Sequence, residues 1–102
     1  MARLSTHVLD TSQGKPAAGV QVRLYRDGGL IAEVETNADG RAVAAENLVA
    51  GTCELVFSVG AYFGASPFLD EVVVRFRISD AGVNYHVPLL VSPYGYTTYR
   101  GS

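Results

Sequence analysis

The chain has 102 residues, 48% of them apolar and 18% charged, with a formal net charge of -2. Those values describe one folded domain, expected to run over 1–102 around a single modest core, and they exclude a disordered chain. Its 8 basic residues, of which only Lys15 is a lysine, form no run, which argues against nucleic acid or an anionic membrane surface as partner.

From the N-terminus, Leu4 to Leu9 is rich in β-branched residues and has no helix-start signal, so a strand is expected. Asp10-Thr11-Ser12-Gln13-Gly14-Lys15-Pro16 is turn and loop chemistry. Val20, Val22 and Leu24 then alternate with Gln21 and Arg23, the period of a half-buried strand. Asp27-Gly28-Gly29 reverses the chain into Leu30 to Glu35, which predicts a hairpin. Asn37-Ala38-Asp39-Gly40 is a second turn, in which Gly40 takes a positive φ at little cost. Arg41 to Glu46 reads as a short strand or a partly helical piece, because its alanines favour neither.

Thr52 to Val59 is a strand with Cys53, Leu55 and Phe57 on one face, so Cys53 reads as a small buried hydrophobe rather than a nucleophile. As the single cysteine it forms no internal disulfide and requires no oxidising compartment. Gly60 to Ala65 has room for one or two helical turns, stopped by Pro67. Glu71 to Ser79 alternates again, with Val72, Val74, Phe76 and Ile78 inward and Arg75 and Arg77 outward. Asp80-Ala81-Gly82 turns the chain into a strand from Asn84 to Ser92, and Gly95 to Tyr99 is the last. Pro88 cannot donate to a ladder, which predicts a bulge or a local gap in pairing. Seven or eight short strands at near-regular spacing imply a β-sandwich or barrel. With neither a secretory core nor a membrane-length apolar run, the chain is expected to be soluble and cytoplasmic. So little charge on so apolar a chain suggests surface hidden in an oligomer.

Some polar residues have no evident structural purpose. His7 shares its strand face with Ser5 and Leu9, and His86 shares its face with Pro88, Leu90 and Ser92. Each is either a surface or hydrogen-bonded histidine or a group for acid–base chemistry near neutral pH. Zinc is the weakest reading, since neither has a cysteine or carboxylate at ligand spacing. Arg41 is either a solvated strand start or a permanent cation for carbonyl or anionic oxygens. The aromatic-dense C-terminus, Tyr94-Gly95-Tyr96-Thr97-Thr98-Tyr99-Arg100-Gly101-Ser102, suggests a docked tail where most chains fray. The sequence has no Gly-x-Ser-x-Gly elbow, phosphate loop or dinucleotide fingerprint.

Three segments carry a resemblance. They are Leu4-Ser5-Thr6-His7-Val8-Leu9-Asp10 continuing through Gly14-Lys15-Pro16-Ala17, Thr36-Asn37-Ala38-Asp39-Gly40-Arg41, and Tyr85-His86-Val87-Pro88-Leu89-Leu90 running on to Tyr99-Arg100-Gly101-Ser102. Together they resemble the signature blocks of the 5-hydroxyisourate hydrolases, the enzymatic branch of the transthyretin family. The resemblance implies an all-β, transthyretin-like sandwich of two sheets with one short helix, assembled as a homotetramer with clefts where two dimers meet. It implies a small-molecule substrate, 5-hydroxyisourate, hydrolysed to 2-oxo-4-hydroxy-4-carboxy-5-ureidoimidazoline in urate degradation, with no cofactor or metal.

On the same basis, His7 and His86 activate water and move protons, while Arg41 binds substrate oxygens and stabilises the charge that develops. Tyr99 positions the ring, Ser102 completes the catalytic pocket, Leu90 and Ser92 line it, and Arg100 contacts substrate or anchors the tail. The competing reading is a non-enzymatic, transthyretin-like tetramer that binds a small ligand; the intact Tyr99-Arg100-Gly101-Ser102 and the two histidines weigh against it. The chain departs from the family pattern at Asn84, commonly a histidine, at Leu69-Asp70-Glu71, commonly an aromatic followed by Pro-Glu, and in a short loop after Phe63.

Overall fold

The computed structural model describes residues 2–102. Its elements are β1 (Ala2–Asp10), β2 (Lys15–Pro16), β3 (Gln21–Arg26), β4 (Gly29–Glu35), β5 (Arg41–Leu48), β6 (Gly51–Phe57), α1 (Val59–Phe63), β7 (Val72–Ile78), β8 (Tyr85–Ser92) and β9 (Gly95–Thr98). One sheet has the antiparallel order β4-β3-β6-β7. In the other, β1 is parallel to β8, β9 is antiparallel to β8, and β5 and β2 share the remaining edge of β1.

The alternation read from the sequence becomes the two inner faces. Leu4, Val8, Leu89 and Val91 of one sheet meet Val22, Leu24, Leu55 and Phe57 of the other, each at most 1% exposed. Burying such a side chain is worth about 1.5–3 kcal/mol, so this interface dominates stability. Cys53 lies in that core at 0% exposure, and burial pushes its thiol pKa up, which removes it from nucleophilic chemistry.

Two sequence readings are revised, and the choice left at Pro88 between a bulge and a gap in pairing falls to the gap. Arg41 to Leu48 is strand throughout: its alanines are neutral in propensity, and pairing with β1 decides the matter. Lys15–Pro16, read as loop, forms a two-residue strand against Leu9 and Asp10. Pro88 causes no bulge beside β1, where the register runs unbroken from Leu4↔Tyr85 to Asp10↔Val91. Its missing donor falls on the other side, where β9 pairing stops at Leu89↔Thr98 and resumes as an isolated bridge, His86↔Gly101. There Thr98 Oγ1 donates to the Pro88 carbonyl at 2.8 Å.

The helix ends at Gly64, in the left-handed region at φ 72°, before Pro67 is reached. Tyr62 ties α1 to β1, its hydroxyl donating to Asp10 Oδ2 at 2.9 Å. Asp10 is 0% exposed and also accepts from the backbone N–H groups of Ser12 and Gln13, the Ser12 hydroxyl and the Gln13 amide. Burial alone would raise its pKa; these hydrogen bonds outweigh burial and hold the carboxyl below its ordinary value of 3.8. No described helix is long and apolar enough to cross a membrane.

Candidate active site

The site is built on the outer face of the β1/β5/β8 sheet. Odd-numbered residues of β1 point outward, so Arg3, Ser5, His7 and Leu9 share this face while Leu4, Thr6 and Val8 are buried. Register sets the neighbours. His7 pairs with Arg41 on one side and Pro88 on the other, and Ser5 pairs with Val43 and His86. The two histidines are therefore diagonal neighbours across β1 and β8, two positions out of register and on the order of 8 Å apart.

Arg41 is delivered by the turn before it. Asn37 Oδ1 accepts from the backbone N–H groups of Asp39 and Arg41 at 2.9 and 3.0 Å, and the Asn37 N–H donates to the Arg41 carbonyl at 2.9 Å. Gly40 closes the turn at φ +75°, and its carbonyl accepts from Val8 N–H at 2.7 Å. A Cβ there would meet the Val8 carbonyl oxygen at 2.4 Å, so any other residue both strains the backbone and forces it away from β1.

A cleft of about 580 Å³ opens on this face, walled by Ser5, Arg41 and His86, with Asn37, Asn84 and Ser102 around them. Arg3 and Arg41 also stand in its walls and no Asp or Glu side chain does, which favours a ligand rich in carbonyl or anionic oxygens. His86 is partly buried and its Nδ1 lies 2.9 Å from Ser5 Oγ. Burial first, then the charges of Arg41 and His7, lower its pKa below 6.5, so the ring is neutral at pH 7. A neutral imidazole carries one donor and one acceptor nitrogen, as proton transfer near neutrality requires.

The tail docks as its composition suggests. Gly101 N–H donates to the His86 carbonyl at 2.7 Å, and a Cβ on Gly101 would come within 2.7 Å of His86 Cδ2. Only a glycine lets the tail lie this close to the imidazole, and Ser102 then reaches the cleft. The same register turns Arg100 the other way. It falls opposite Val87, whose side chain points inward, and its guanidinium stacks 4.5 Å over the Tyr85 ring. Arg100 and Tyr99 border a separate apolar groove of about 220 Å³ at the open edge of the sandwich, beside Val74 and Phe76. Within one chain Arg100 thus lies against Tyr85 and not in the cleft wall, and Tyr99 is 56% exposed, also outside that wall.

Of the residues singled out in the sequence, Arg41, His86 and Ser102 meet in the cleft, and His7 stands beside Arg41 on the same face. Leu90 and Ser92 share that face but lie further along β8, away from the walls. Asn84 lines the cleft and accepts from Arg3 N–H at 3.2 Å. Ser5 and Asn37 were not singled out. Asn37 was visible as part of a turn, but the Ser5 contact depends on a parallel register between residues 81 apart, which no local pattern carries.

The sequence profile described as the HIUase/Transthyretin family matches residues 4–101. A 5-hydroxyisourate hydrolase of Caulobacter vibrioides is 52% identical, with all of this chain and all of that protein covered. The structure of Klebsiella pneumoniae 5-hydroxyisourate hydrolase superposes with a TM-score of 0.91 at 42% identity, covering 99% of this chain and 100% of that one. Sea bream transthyretin in complex with thyroxine superposes with a TM-score of 0.86 at 31% identity, over 96% of this chain and 93% of that one.

Proposed function

Because the chain belongs to the HIUase/transthyretin family, we propose that it hydrolyses 5-hydroxyisourate to 2-oxo-4-hydroxy-4-carboxy-5-ureidoimidazoline. The observation that carries this reading is the meeting of a neutral imidazole, a permanent cation and the docked tail in one cleft, with a second imidazole beside the cation. Water attacks the ring carbonyl while a histidine takes its proton, help worth roughly 10²- to 10⁴-fold. Arg41 stabilises the oxyanion that forms, worth about 3–4 kcal/mol for a well-placed donor. Collapse of this intermediate breaks the C–N bond, and the proton held by the imidazole passes to the leaving nitrogen. Ser102 closes one end of the cleft. The active assembly in this proposal is a homotetramer, in which a facing subunit covers the open side.

The test is to generate 5-hydroxyisourate in place with urate oxidase and follow its ultraviolet decay with and without the protein, chelator present. Accelerated decay that survives the chelator is the expected result. Decay at the spontaneous rate by a folded, assembled protein would reject the hydrolase reading in favour of a ligand-binding tetramer.

A further inference from the structure

Two imidazoles serve this site, and the family reading does not divide the work between them. The geometry points to Ser5 as the positioning residue that makes His86 the base: Ser5 Oγ accepts a hydrogen bond from Nδ1–H, so that Nε2 keeps its lone pair for the attacking water. The inference rests on the hydrolase reading and deepens it. Which nitrogen of a neutral imidazole carries the proton is set by the hydrogen bond the other makes. Here Nδ1 is 2.9 Å from Ser5 Oγ, and among the described residues no hydrogen bond engages Nε2.

Two surroundings select the direction of that bond. The Ser5 hydroxyl oxygen lies 2.9 Å from Nδ1, where its lone pairs can accept the N–H of the ring, while burial, Arg41 and His7 disfavour the charged imidazole. Oxygen lone pairs around Nδ1 favour a proton there. Arg41, a donor with no acceptor, favours a lone pair on the side of the ring that shares its cleft. The ring is also braced: Ser5 lies directly across β1 in register, and Gly101 packs against Cδ2. When Nε2 takes the water proton, the imidazolium keeps its Nδ1–H bond to Ser5, which offsets part of the repulsion from Arg41. That proton later passes to the leaving nitrogen, so the ring ends neutral.

The chain has only 2 histidines, so ¹⁵N-histidine NMR of the whole protein resolves both rings once a His7→Asn sample assigns them. Above the imidazole range, His86 is expected with Nδ1 protonated and Nε2 bare. In Ser5→Ala that signature should move towards a mixture, and kcat should fall roughly tenfold with little change in KM, the cost of about one hydrogen bond. Ser5→Thr keeps the hydroxyl and should recover most of the rate and the wild-type signature. An Nε2-protonated His86 in the wild type would overturn the inference, as would Ser5→Ala with unchanged signature and undiminished kcat. The NMR readout needs no substrate, so failure of the hydrolase reading would show separately, as a wild-type protein with the expected tautomer and no turnover.

Discussion

At the scale of single residues, the site depends on an imidazole kept neutral beside a guanidinium. His86 has a lowered pKa because burial penalises its charged form and because Arg41 and His7 repel it. In the proposed mechanism the neutral form is the active one, so kcat/KM should be full above the ordinary histidine range. It should be lost as pH falls through the lowered pKa, giving an acid limb with its midpoint below 6.5. Arg41→Gln removes one lowering influence, so the midpoint should rise while the plateau falls roughly 10²- to 10³-fold with the lost oxyanion donor. A pH–rate profile checks both; an acid limb that does not move in Arg41→Gln would show that the cation does not act on His86. How much of this was legible follows from the kind of signal. His7, Arg41 and His86 stand in recognisable sequence blocks. Ser5 was noticed only as a companion of His7 on one strand face, because its partner lies across a parallel register that the sequence does not write locally.

At the scale of elements, period-two alternation made β3, β4 and β7 readable, since one face of each is more buried than the other, whereas β6 and β8 bury residues on both faces. The strand β5 was ambiguous because its shape comes from β1, and β2 was invisible because two residues carry no period. The tail beyond β9 contributes to the site while leaving the core to others. It adds the Gly101 bond to β8, the Arg100 stack on Tyr85 and the Ser102 wall, and the buried core ends at Val91. Deleting Tyr99 to Ser102 should therefore abolish turnover and leave the circular-dichroism spectrum of the sandwich intact; retained turnover would reject the tail's role. The latch between α1 and β1 makes the opposite prediction, affecting stability without activity. Tyr62 has its pKa pushed up to about 12 by burial and by the Asp10 carboxylate. Tyr62→Phe should cost about 1.5–3 kcal/mol, the worth of a hydrogen bond to a charged group, in a denaturant titration. Because the Asp10 pKa is depressed, its contribution is present above the ordinary value of 3.8 and lost as pH falls through the folded-state pKa. The acid side of the stability curve should accordingly flatten in Asp10→Asn.

At the scale of the whole molecule, the cleft raises a question that one chain does not answer. It lies on the outer face of a sheet, so the wall opposite Ser5 and His86 is open to solvent. An oxyanion beside Arg41 in open water is screened, and donors act strongly only where water is excluded. The same chain leaves Tyr94, Tyr96 and Tyr99 at 69%, 49% and 56% exposure, more aromatic surface in one stretch than an isolated small domain ordinarily presents. Both features are accounted for if identical faces meet about a twofold axis, so that one subunit's sheet roofs its partner's cleft. In the proposed homotetramer a second twofold contact joins two such pairs, so light scattering should give four times the 10.9 kDa chain mass. On dilution, specific activity should fall together with the tetramer fraction, because an unroofed Arg41 is screened by water. A monomer that keeps full kcat at high dilution would show that the cleft works unroofed.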